Sequence, residues 1–68
     1  MVNVLINGDA REAPSAATLD ELIKSLGLNG AEHLAVAIND AVVPRSAYLN
    51  TIINDGDRIE IIQAVGGG

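Results

Sequence analysis

Residues 18–28, TLDELIKSLGL, constrain the fold more than any other stretch, because they hold the one clear helical pattern in the chain. Leu19, Leu22, Ile23 and Leu26 fall at i, i+3, i+4 and i+7 and make a single apolar stripe. Thr18 is placed to cap the N-terminus, and Glu21, three residues on, completes a capping box. Asp20 and Glu21 in the first turn and Lys24 in the last suit the helix dipole. Gly27 fits the left-handed position that ends a helix, with Leu28 folding back on Ile23 in a Schellman contact. A lone helix with one apolar stripe has to cover something, and the flanking segments read as strands.

Val2, Val4 and Ile6 alternate with Asn3, Leu5 and Asn7, a period of two. Asn7-Gly8 follows as a hairpin signal, since both residues accept positive φ. The return strand from Ala10 to Ala13 is polar and stops at Pro14, as an edge strand does. Downstream, Leu34, Val36 and Ile38 share one strand face, and Asn39-Asp40 turns into a short strand, Ala41 to Val43, ended by Pro44. Residues 45–51, RSAYLNT, have no clean period and read as a loop or one helical turn with Tyr48 and Leu49 tucked inward. Asn54-Asp55-Gly56-Asp57 is turn chemistry, and the last strand puts Ile59 and Ile61 on one face with Ile62 on the other. The economical packing is an α+β domain, a mixed sheet of four to five strands on one helix. The most apolar strands are the first and last, which places them centrally and side by side. The long connection between them permits the parallel pairing of a ubiquitin-like β-grasp.

Composition narrows the chemistry. Among 68 residues there is no Cys, Phe or Trp and only one Tyr, so the core is aliphatic and no aromatic platform exists for bases or sugars. Without cysteine there are no disulfides, thiolate metal sites or thiol nucleophiles. The formal charge of −5 argues against nucleic-acid binding and is compatible with docking on a basic protein surface. The opening MVNVLINGD shows neither a signal-peptide pattern nor a membrane span, and the expected location is the cytoplasm.

Lone polar residues read as structural. His33 beside Glu32 suits a solvated loop, and Arg45 and Arg58 suit surface roles. Asp55 and Asp57 flank a glycine turn with too few oxygen ligands for a metal. Residues 7–9, NGD, lack the further glycines and the lysine of a phosphate loop. Leu5 and Ile62 fall on the strand face opposite the core. With Ala64 and Val65 they form the expected partner-docking patch, extended by Ala35 and Ala37.

The most distinctive stretch is the last, IIQAVGGG. Residues 1–65 read as the folded domain and residues 66–68 as a flexible glycine tail. Three residues without side chains make a thread able to enter a narrow channel, with the Gly68 carboxylate as its reactive group. Together with LINGD, TLDELIKSLGL, VAIND, VVPR and DGDRIEII, this ending resembles the ThiS family, the sulfur carrier proteins of thiamine biosynthesis. The resemblance implies that Gly68 is adenylated and converted to a thiocarboxylate, with Gly66 and Gly67 threaded into partner sites. It also implies a monomer that binds no cofactor and is not itself an enzyme. The partners it implies are a ubiquitin-activating-type adenylyltransferase that consumes ATP, a cysteine desulfurase or other sulfur donor, and thiazole synthase. The small subunit of molybdopterin synthase is the alternative, although that family carries aromatics and prolines where this chain has IIQAV. A ubiquitin-like interaction module with an inert tail is the non-carrier alternative.

Overall fold

The computed structural model describes residues 1–30 and 33–63. Strand β1 (Val2–Ile6) turns through Asn7-Gly8 into β2 (Asp9–Ala13). Helix α1 (Leu19–Ser25), β3 (Leu34–Ile38) and β4 (Ala41–Val43) follow. A 3₁₀ segment (Arg45–Asn50) then leads to β5 (Arg58–Gln63). The five strands form one sheet in the order β2-β1-β5-β3-β4. The last strand is therefore central, parallel to β1 and antiparallel to β3. The α+β arrangement expected from the sequence is the one observed.

Each element follows from local chemistry. The two hairpin turns have both loop residues at positive φ, Asn7 (50°) with Gly8 (85°) and Asn39 (51°) with Asp40 (69°), as type I′ turns require. At the start of α1 the Thr18 hydroxyl accepts from the Glu21 amide (3.1 Å) while the Glu21 carboxylate accepts from the Thr18 amide (3.0 Å). At its end Gly27 has φ 76°. The Leu28 and Gly27 amides donate to the carbonyls of Ile23 (3.1 Å) and Lys24 (3.0 Å), which completes the Schellman motif.

One face of the sheet packs on α1. Val4, Ile6, Ala13, Val36, Ile59 and Ile61 meet Leu19, Leu22, Ile23, Tyr48 and Ile53 in one aliphatic core. Two details depart from the sequence reading. Leu49 is 68% exposed, whereas its neighbour Tyr48 is buried. With three residues per turn, adjacent side chains on a 3₁₀ segment diverge and cannot both face the core. Ile53, which no periodic pattern singled out, is buried because residues 51–53 dock on the helix entrance. There Leu19 N donates to Thr51 O (2.8 Å) and Ile53 N donates to Ala17 O (2.8 Å).

A helix of seven residues is too short to persist without its caps and its packing. Thr18→Ala removes the hydroxyl half of the capping box, leaving the Glu21 amide without its acceptor, and is expected to cost about 1 kcal/mol. Urea unfolding should show a lowered midpoint with an unchanged slope.

Candidate functional site

The start of β5 is tied down on both sides. On the β1 side, Leu5 N donates to Asp57 O (3.0 Å) and Asn7 N to Ile59 O (2.9 Å). Beneath them Gly56 N donates to Asn3 O (2.7 Å), and Asn3 N donates to Asp55 Oδ1 (2.8 Å). On the β3 side, Asn39 N donates to Arg58 O (2.8 Å) and Asn39 Oδ1 accepts from Arg58 N (3.0 Å). Asp57 is buried between these contacts. Its Oδ1 accepts from Asn39 Nδ2 (3.0 Å) and its Oδ2 from Asn54 N (2.8 Å), so both oxygens are satisfied. Asp55 and Asp57 are thus turn and strand anchors, as their sequence context suggested, and the Gly56 φ of 84° lets the turn close. Arg58 reaches Asp40 at 3.3 Å on the exposed surface.

The strand so anchored runs toward the C-terminus with alternating faces. Ile59 and Ile61 enter the core, while Ile62 is 64% exposed on the outer face of the sheet. Leu5 shares that face at 42% exposure. The structure does not bring these two together. Leu5 lies opposite Arg58 and Ile62 lies opposite Ala35, with Glu60 between them on the same face. The apolar neighbours of Ile62 are instead on β3 and β4: Ala35 directly across, then Ala37, whose own partner is Val42. Val42 is 80% exposed and was not among the expected patch residues. Strand parity was the available signal, since Ala41 and Val43 cannot face inward without turning Val42 out. Ala64, Val65, Gly66, Gly67 and Gly68 lie outside the described residues.

Chemically this arrangement presents a surface. No three His, Cys, Asp or Glu side chains among the described residues converge to hold a metal ion. A groove of about 390 Å³ runs beside the end of β5, lined in part by Asn7, Asp9, Arg11, Leu28, Ile61 and Gln63. Among the described residues no helix is long and apolar enough to cross a membrane.

Comparison with known proteins places this geometry. The model of the ThiS family matches residues 4–68. The sulfur carrier protein ThiS of Escherichia coli is 34% identical over 67 residues, which cover 98% of this chain and 100% of that protein. A thiazole synthase of Paramagnetospirillum magneticum is 36% identical over 67 residues, 98% of this chain. This chain spans only 20% of the length of that thiazole synthase. The crystal structure of the thiamine biosynthesis protein ThiS from Geobacter metallireducens superposes with a TM-score of 0.83 at 30% identity. The match covers 98% of this chain and 100% of that one.

Removing the Asp57 carboxylate strands two donors in a partly buried place. Asp57→Ala is expected to destabilise the fold by about 2 kcal/mol or more, with Asp57→Asn losing less because one acceptor remains. Chemical denaturation of the two variants beside the parent checks the order.

Proposed function

The chain belongs to the ThiS family, and on that premise we propose that it carries sulfur as a thiocarboxylate on Gly68 for thiazole formation in thiamine biosynthesis. The observation that carries this reading is the end-to-end match with a ThiS sulfur carrier, joined to a central strand whose sequence runs on into three glycines. The carrier is a co-substrate of partner enzymes and not a catalyst.

The chemistry then runs as follows. A Gly68 carboxylate oxygen attacks the α-phosphorus of ATP, the bond to pyrophosphate breaks, and an acyl-adenylate forms. A sulfur nucleophile attacks the acyl carbon and AMP leaves. When the donor is sulfide, the product is the thiocarboxylate directly. When it is a persulfide on a cysteine desulfurase, the acyl disulfide is cleaved by a reducing thiol to the same product. An adenylyltransferase of the ubiquitin-activating type supplies the phosphate-handling groups and consumes the ATP, and the carrier binds no cofactor of its own. Gly66 and Gly67 serve as the thread through which the carboxylate reaches that site. A cytoplasmic working compartment, where ATP is at hand, fits this chemistry.

Thiazole synthase is the acceptor enzyme that the relatives favour. In two thiazole synthases, from Paramagnetospirillum magneticum and Magnetococcus marinus, a segment similar to this whole chain makes up 20% of the polypeptide. A carrier-like segment joined to the enzyme raises the effective concentration of one for the other. Docking uses the outer sheet face, with Ile62 at its centre and Ala35, Ala37 and Val42 beside it.

Intact mass after incubation with ATP, a sulfur source and host extract tests the reading. A gain matching exchange of one terminal oxygen for sulfur, absent when Gly68 is deleted, is the expected result. No gain with an active adenylating enzyme present leaves an interaction module instead. Ile62→Asp should keep the fold and weaken binding to the purified adenylating enzyme about tenfold or more, read by titration calorimetry.

A further inference from the structure

The sequence marks Asn7 as a turn residue, and the structure gives its side chain a second job. Strand β1 ends at Ile6, and the chain turns away toward β2. The backbone ladder between β1 and β5 ends where Asn7 N donates to Ile59 O (2.9 Å). Two residues further along β5 the Asn7 carboxamide continues that ladder. Its Oδ1 accepts from Ile61 N (2.8 Å) and its Nδ2 donates to Ile61 O (3.0 Å). One planar group thus meets both backbone groups of Ile61, as the next residue of a neighbouring strand would. Because the contact is partly buried, water competes with it less than at the surface.

Turn geometry does not require this contact. Positive φ at the first loop position is accessible to Gly and Asp as well as Asn. Asn39, at the equivalent position of the β3–β4 turn, also spends its carboxamide on β5, but at the opposite end, on Arg58 N and Asp57. The two turn asparagines therefore hold the same strand from both flanks, one at its start and one toward its finish. On the β3 side the pairing continues to Leu34 opposite Gln63. On the β1 side Asn7 is the last hold on β5 among the described residues, before the groove beside Gln63 opens.

We propose that Asn7 is a positioning residue for sulfur loading: its carboxamide holds Ile61, and with it the end of β5 from which the sequence runs on to Gly68, so that loss of this hold slows activation of the Gly68 carboxylate. This rests on the carrier reading above. Docking through the outer face brings the domain to the enzyme, whereas the Asn7 clamp governs how often the docked tail is in register to react. Loss of the clamp therefore acts on the maximal rate and not on docking. A displacement of the order of 1 Å at a reacting group is enough for a loss of about a hundredfold.

The test compares Asn7→Gly, which keeps the turn and deletes the carboxamide, with Asn7→Asp, which keeps the acceptor for Ile61 N and loses the donor to Ile61 O. Amide hydrogen exchange on the isolated carrier reads the clamp, and Val36 in β3 serves as the internal reference. Time courses of the sulfur mass gain, with ATP, sulfide and host extract at varied carrier concentration, read loading. In Asn7→Gly, Ile61 should exchange about tenfold faster or more, with Val36 unchanged. Its maximal loading rate should fall about ten- to a hundredfold while the half-saturating concentration moves less than about threefold. Asn7→Asp should fall between variant and parent, and it carries the same comparison if Asn7→Gly loses the fold. Unchanged Ile61 exchange, or faster exchange with loading at the parent rate, overturns the proposal while the carrier reading stands. A parent protein that gains no sulfur overturns both.

Discussion

Parallel pairing of β1 with β5 is the constraint on which the rest of the structure depends. Leu5 lies opposite Arg58 and Ile6 opposite Ile59, positions more than fifty residues apart in the chain. A parallel pair cannot be closed by a tight turn, so the intervening chain has to form a crossover. Here it supplies the helix that covers one face and the β3–β4 hairpin that pairs with the far side of β5. Without β5 the sheet divides into two separate hairpins, each marginal by itself in water. With it, Ile59 and Ile61 complete a core that is otherwise lined from β1, β2, β3, α1, Tyr48 and Ile53.

This dependence explains where the polar groups went. The segment 54–57 joins the loop to the central strand: Gly56 N and Asp57 O meet β1, Asp57 N closes the turn on Asn54 O, and the Asp57 carboxylate accepts from Asn39 Nδ2 and Asn54 N. A buried carboxylate at Asp57 is tolerable only because two donors were brought to it. The same hydrogen bonds hold β5 in register with both neighbours. A one-residue slip would exchange the core isoleucines for Glu60 and Ile62. The strand whose sequence runs on into the three glycines is thus held in register from both flanks, which suits the proposed delivery of its end to a partner.

The two faces of the sheet divide the work. The inner face is a dry aliphatic layer under α1. The outer face carries Ile62, Ala35, Ala37 and Val42 as one apolar run and keeps Leu5 apart behind Glu60. The sequence showed which residues point outward, since alternation is a property of each strand alone. It did not show which of them are neighbours, because that follows from strand order and register. Leu5 and Ile62 were therefore correctly faced and wrongly joined, and Val42 was missed beside them.

The sequence by itself determined every element whose signal is local. The Asn-Gly turn, the capping box at Thr18, the Gly27 stop and the alternation in β1, β3 and β5 each operate over a few residues, and each has its expected counterpart. Tertiary structure decided the burial of Ile53, the exposure of Leu49, and the reach of Asn7 and Asn39 onto β5. The reason is physical. Torsional preference and periodicity are set by adjacent atoms, whereas the partner of a carboxamide or of an aperiodic isoleucine is set by whichever distant segment the closed sheet brings within hydrogen-bond or contact distance.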